Sequence, residues 1–246
     1  MELFRPEFVL IPMRNSLLLA TLAATLGLAG CDVDFDDVSI GPKEEETFHY
    51  SYDCKPGSRL LLENYNGAVE ITAWDQPKIE IDGARFANTK ERLRQVKIDI
   101  SRGADLMTIR TVPPLDRGGN SGARYQIRVP KQVVLELIKS TNGSLRVSGT
   151  NGAANLRTTN GAIELRLPMG LKNDVRASTS NGSIEVKLPH GAAFQVAART
   201  SGSSIRSDFI VEGEVTKKRI EGKVGGGGAL LDLSTSNGSI SLQRGL

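Results

Sequence analysis

The chain has 246 residues, 39% of them hydrophobic and 24% charged, with a net charge of +3. These proportions exclude a disordered chain and fit a globular protein large enough for one β domain or two smaller ones. Charges of both signs cancel along most of the length, so there is no basic stripe for a nucleic acid and no nucleic-acid partner is expected. With 26 glycines against 5% aromatic residues and two histidines, groups that do chemistry or hold a cofactor are scarce. That composition argues against an enzyme and against a metal or other cofactor.

Met13-Arg14-Asn15 leads into an apolar stretch from Ser16 to Leu28, followed by Ala29-Gly30-Cys31. A basic start, an apolar run shorter than the ~20 residues of a spanning helix, and small residues before a cysteine predict an export signal. Leu28-Ala29-Gly30-Cys31 resembles the bacterial lipobox, which implies cleavage before Cys31 and a lipid on its thiol. Residues 1–30 are then the signal peptide. Met13 is the better start, because Glu2 and Glu7 precede a region that should be positive. The mature chain would sit on a membrane of the cell envelope, on the exported side, through acyl chains on Cys31. Cys54 is left without an intrachain partner, as an idle thiol.

Residues 31–45 read as an acidic tether, with Asp32, Asp34, Asp36 and Asp37 ahead of Glu44-Glu45-Glu46. A calcium loop fails here: Asp37 stands where the loop needs glycine, and Lys43 where it needs glutamate. Residues 46–138 predict a first β part, with strands at Arg59–Glu63, Ala68–Ala73, Lys78–Ile81, Val96–Ile100, Leu106–Thr111 and Arg124–Val129. Thr89–Gln95 is the one candidate helix. The glycine-rich runs 117–122 and 225–228 read as exposed loops.

Residues 139–246, continuing the first part, are organised by a repeat. Asn-Gly recurs at Asn66, Asn142, Asn151, Asn160, Asn181 and Asn237, and Ser201-Gly202-Ser203 fills a seventh slot. Three residues on stand Val69, Leu145, Ala154, Ile163, Ile184, Ile205 and Ile240; two further stand Ile71, Val147, Leu156, Leu165, Val186, Ser207 and Leu242. A polar column containing Glu70, Arg146, Glu164, Glu185 and Arg206 runs between them, so each copy predicts a short strand with one buried face. Glycine after asparagine would supply a positive-φ corner.

Spacings of 18, 21, 21 and 35 residues from Asn142 to Asn160, Asn181, Gly202 and Asn237 fit a right-handed β-solenoid. Ile163, Ile184 and Ile205 would then form one ladder, with Asn151 at a half-coil corner. An antiparallel meander or sandwich is the rival, because Asn-Gly is also a hairpin signal and would set Thr179 against Ile184.

Three segments resemble a known family: Lys55-Pro56-Gly57-Ser58-Arg59-Leu60 with Glu63-Asn64-Tyr65-Asn66-Gly67; Tyr125-Gln126-Ile127-Arg128-Val129-Pro130-Lys131 leading into the Asn-Gly repeats; and Gly225–Gly228 with Ser236-Asn237-Gly238-Ser239-Ile240. They are similar to the bacterial putative-adhesin domain of unknown function 4097. The resemblance implies an exported β-solenoid of the envelope, with some relatives linked to envelope stress, and brings no catalytic residue.

Chemistry is correspondingly thin. Glu164 and Glu185 share one slot of successive coils, so stacking would place them about 5 Å apart, near the separation of a retaining glycosidase pair. Arg146 and Arg206 flank them in the column, which instead predicts an exposed, unshifted charge ladder. A sugar site also wants aromatic platforms, and beyond Tyr125 only Phe194 and Phe209 remain. His49 and His190 are isolated. The sequence therefore predicts a non-enzymatic, lipid-anchored scaffold, adhesin-like surface or envelope-stress component. Its partner would be an envelope protein or polysaccharide, and the alternative is a polysaccharide-acting enzyme on a β-helix.

Overall fold

Alternating buried and exposed positions on either side of each Asn-Gly pair make strands, and in the computed structural model most of these stack in parallel. The structure describes residues 44–116 and 119–245. The signal segment, Cys31 and residues 31–43 of the tether lie outside the described residues. Strands β1 (Glu44–Asp53), β2 (Arg59–Asn66), β3 (Val69–Trp74) and β4 (Lys78–Ala87) precede the one short helix among the described residues, α1 (Lys90–Gln95). Then come β5 (Lys97–Arg102), β6 (Leu106–Val112), β7 (Ser121–Pro130), β8 (Val134–Asn142), β9 (Leu145–Ser148), β10 (Ala154–Asn160) and β11 (Ile163–Arg166). The last eight are β12 (Val175–Asn181), β13 (Ile184–Leu188), β14 (Phe194–Thr200), β15 (Ile205–Ser207), β16 (Glu212–Val215), β17 (Arg219–Val224), β18 (Leu230–Thr235) and β19 (Ile240–Arg244). Glu44 and Glu45, which the sequence assigns to the tether, open β1.

Two open sheets enclose one core. One runs β1-β4-β7-β3-β9-β11-β13-β19-β15, the other β5-β6-β2-β8-β10-β12-β18-β14-β17-β16. A coil is one strand of the second sheet, a corner, and the following strand of the first. The stack reads β6/β7, β2/β3, β8/β9, β10/β11, β12/β13, β18/β19, β14/β15. This is the β-solenoid-like architecture expected, and the meander is excluded for the repeats because their strands pair in parallel.

Coil order departs from chain order at both ends. The final coil, β18/β19, slots between β12/β13 and β14/β15, and β2/β3 sits inside β6/β7. The ladder therefore runs Val69, Leu145, Ile163, Ile184, Ile240, Ile205. Ile184 and Ile205, expected as neighbours, are separated by Ile240. The 35-residue spacing that hid this holds the hairpin β16–β17, which leaves the stack after β15 and returns beside β14. Ala154 and Leu156 belong to the opposite sheet, in line with Val175 and Ala177, so Asn151 does mark a half-coil corner.

Antiparallel strands cover three of the four sheet edges, and β15, paired in parallel with β19, forms the fourth. At one end β4 pairs with β7 and β1 with β4, while β5 pairs with β6; at the other β17 pairs with β14 and β16 with β17. Charged residues on these outer strands, such as Glu44–Glu46 on β1, discourage further strand addition. Helix α1 caps the β4–β5 connection, with the Thr89 hydroxyl accepting from the Arg92 N–H at 3.2 Å.

The corners explain the Asn-Gly signal differently from the sequence expectation. Gly143, Gly161, Gly182 and Gly238 do not have positive φ; only Gly67 among the Asn-Gly corner glycines does, at 114°. What excludes a side chain is close stacking: a β-carbon on Gly161, Gly182 or Gly238 would fall far inside van der Waals contact of the carbonyl of Gly143, Gly161 or Gly182. Those carbonyls are bonded by a buried hydroxyl two residues before the next corner. Thr158 donates to Gly143 O at 2.9 Å, Thr179 to Gly161 O at 2.9 Å, Thr235 to Gly182 O at 2.9 Å and Thr200 to Gly238 O at 2.7 Å. Outside them an amide ladder joins Asn142, Asn160, Asn181 and Asn237 at 2.7, 2.8 and 2.9 Å.

Candidate binding face

The outward side of the nine-stranded sheet carries the polar column. Its register is Glu70, Arg146, Glu164, Glu185, Ser241, Arg206, so Glu164 and Glu185 are direct parallel neighbours as expected. Ser241 of the inserted coil separates Glu185 from Arg206, which breaks the anticipated Arg-Glu-Glu-Arg run. A second row two residues on contains Ser148, Arg166 and Lys187. Period-2 geometry puts both rows on one face, and each carboxylate takes its cation from that second row.

Arg166 grips Glu164 through Nε at 2.7 Å and Nη2 at 2.6 Å, and Arg146 approaches it at 3.5 Å. Lys187 pairs with Glu185 at 2.9 Å. The expectation of two exposed, unshifted carboxylates fails for Glu164. Its side chain is only 24% exposed, and the Arg166 hydrogen bond, with the nearby charges of Arg166, Lys187 and Arg146, holds its carboxyl below the usual range. A glycosidase acid needs the opposite shift, so that it carries a proton near neutrality. Glu164 is built to stay ionised. The shallow depression around it is lined by Glu70, Arg146, Glu164 and Arg166 and offers no aromatic platform. Phe194 and Phe209 meet edge to face at 5.4 Å inside the core.

A second locus lies on β1, β4 and β7, where the sequence showed nothing. His49 is not isolated: its Nδ1 lies 2.6 Å from Asp82 Oδ1, with Arg128 3.4 Å from the other carboxylate oxygen. The His49 hydrogen bond, then the charges of His49 and Arg128, lower the Asp82 carboxyl. Thr47, Phe48, Arg124 and Gln126 complete a depression there, but no hydrogen bond links Thr47 to His49 among the described residues. The sequence carries no sign of the pair, because Asp82 meets His49 only through the β1–β4 register. Nearby, the Trp74 ring is covered by the Arg128 guanidinium at 5.0 Å and its N–H donates to Lys78 O at 2.8 Å.

His190 stands exposed in its turn. Cys54 is buried and free. Among the described residues no cluster of three His, Cys, Asp or Glu could hold a metal ion, and no helix is long and apolar enough to cross a membrane.

No curated protein matches the chain. Among solved structures it is similar to a "putative cell adhesion protein" from Clostridium sporogenes, with a TM-score of 0.59, 15% identity, and coverage of 81% of this chain and 100% of that one. At that identity the likeness concerns the fold. A "putative adhesin" from Bacteroides fragilis gives 0.35 at 12% identity, covering 80% of this chain and 97% of that one. A "putative lipid binding protein" from Parabacteroides distasonis gives 0.27 at 10%, covering 82% and 98%. Both scores are too low to bear on the argument. The family model described as Toastrack DUF4097 matches residues 117–243, just over half of the chain, and the chain belongs to that family.

Proposed function

We propose that this protein is a non-enzymatic, lipid-anchored component of a bacterial cell envelope, in which the stacked sheets present ladder-covered faces as a binding surface or scaffold. The observation that carries the reading is the state of Glu164 and Glu185. The arrangement that most resembles a catalytic pair is tied, carboxylate by carboxylate, to Arg166, Arg146 and Lys187. Carboxylates so paired organise a surface, and Glu164, held ionised, is unsuited to be the proton donor that such a pair needs. Adhesion, the role ascribed to the Clostridium sporogenes protein of similar fold, is one use such a surface would serve. Attachment would come from acyl chains on Cys31, thirteen residues before β1, a tether that spans at most about 45 Å.

A Glu164→Gln/Glu185→Gln double variant tests this in a strain lacking the gene. It is expected to fold, to reach the envelope and to restore whatever phenotype the deletion shows, because ion pairs at a sheet surface contribute little to stability. A catalytic pair would lose at least about 10²-fold in rate. Failure to complement at normal level and location would overturn the non-enzymatic reading and favour a polysaccharide-acting enzyme.

A further inference from the structure

We propose that Asn151 is a site of spontaneous deamidation and isoaspartate formation in the folded protein, and that hydrogen bonds at the stacked corners shield the other five Asn-Gly pairs. Asn-Gly is the dipeptide most open to this reaction, because glycine has no side chain to obstruct its own nitrogen. That main-chain nitrogen attacks Cγ of the asparagine, a N–Cγ bond forms, the Cγ–Nδ2 bond breaks, and ammonia leaves with the proton shed by the main chain. Water then opens the succinimide ring to an isoaspartyl or aspartyl residue. Nothing but water is consumed.

Attack requires the asparagine side chain to swing towards a free glycine nitrogen; the stack holds the side chains and, at Gly67 and Gly143, the nitrogen as well. Asn160, Asn181 and Asn237 donate through Nδ2 to Asn142, Asn160 and Asn181, and the first two also accept through Oδ1. Asn142 accepts from Asn160. Asn66 donates to Asn120 Oδ1 at 3.0 Å and Ser121 O at 2.9 Å. The attacking nitrogens of Gly67 and Gly143 are themselves engaged, donating to Asn142 O at 2.8 Å and Asn160 O at 3.1 Å.

Asn151 lies at a return corner on the other side of the coil, where the neighbouring asparagine, Asn173, bonds its carbonyl and leaves its side chain alone. Its main chain is held, with N–H donating to Lys131 O at 2.8 Å and carbonyl accepting from Asn173 Nδ2 at 2.7 Å. Its half-exposed side chain makes no hydrogen bond to a described residue. Deamidation there adds a negative charge, and the isoaspartyl form adds a carbon to the main chain between the Lys131 and Asn173 contacts.

Peptide mapping of the purified mature chain, incubated at mildly alkaline pH and scored with an isoaspartate-specific methyltransferase, tests this. Two hydrogen bonds that must break first slow an interior ladder position by at least about tenfold, so the Asn151 peptide is expected to lead those of Asn160 and Asn181 by that factor. The unfolded chain should modify all six pairs at comparable rates. Asn181→Ala removes the acceptor of Asn237, so Asn237 should accelerate while Asn151 keeps its rate. Equal rates across the folded chain, a ladder position reacting first, or an inert Asn151 beside a reactive unfolded control would each overturn the proposal.

Discussion

Gly182 and Gly191 both lack a side chain, and the stack tolerates adding one at only one of them. A β-carbon on Gly182 would drive into the Gly161 carbonyl, whereas nothing lies within 4 Å of one on Gly191. Gly182→Ala must push two coils apart and is expected to cost about 2–4 kcal/mol. Gly191→Ala should be neutral or stabilise by up to about 1 kcal/mol, because alanine has less freedom to lose from the unfolded chain. Urea unfolding of the two variants separates close stacking from turn flexibility; equal losses would refute it. Glu164 makes a pH-dependent case. A carboxyl lowered in the folded state adds stability above the range in which the unfolded group titrates, and that contribution is lost as pH falls through the folded value. Glu164→Gln is therefore expected to be less stable than the parent at neutral pH by at most about 1 kcal/mol. Melting temperatures should converge once the medium is acid enough to protonate Glu164, and a constant gap across that range would remove the Arg166–Glu164 ion pair as its cause.

At the scale of the strand, the period-2 pattern carries the fold. Ile184 is fully buried between Ile163 and Ile240, while Glu185 beside it faces outward. Ile184→Asp buries an unpaired carboxylate and is expected to cost about 3–5 kcal/mol; Glu185→Ala loses one exposed ion pair and should cost less than about 1 kcal/mol. Similar melting shifts would refute the two-face assignment. One strand of each repeat coil was legible because two apolar columns follow each Asn-Gly pair. Of the partner strands, the start of β10 shows through Ala154 and Leu156, but β12, β14 and β18 were not legible, although a signal lay two residues before each corner, at Thr158, Thr179, Thr200 and Thr235. Hydroxyls beside a turn read as turn chemistry, and only the stacked glycine carbonyls reveal that they serve the neighbouring coil. The positive-φ reading of the corner glycines failed for a related reason: a sequence shows what a residue lacks, while the crowding that demands the lack comes from another coil. His49 and Asp82 were unreadable as a pair because antiparallel register on an end strand leaves no periodic trace.

For the whole molecule, the order of coils follows from how the ends are finished. Two open sheets have four edges. At the N-terminal end the chain makes β2/β3 first and then lays β4, β5 and the outermost coil β6/β7 outside it, and at the other end it makes the hairpin β16–β17 before returning to insert β18/β19 inside β14/β15. Insertion ties residues far apart in sequence: the final coil is clamped between β12/β13 and β14/β15 by Thr235, Thr200 and Asn237. The proposed attachment to a membrane rests on the N-terminal segment ahead of β1. The apolar stretch from Ser16 to Leu28 has 13 residues, short of the ~20 needed to span, and cleavage before Cys31 would remove it. Acyl chains add about 0.8 kcal/mol for each buried methylene and hold durably when more than one is present. Cys31→Ser is therefore expected to abolish fatty-acid labelling and to move the protein out of the membrane fraction while the β stack melts at its usual temperature. Cell fractionation with metabolic lipid labelling makes the measurement; a parent that carries no label, together with a variant that stays in the membrane, would remove the lipid anchor and leave attachment to another feature of the chain.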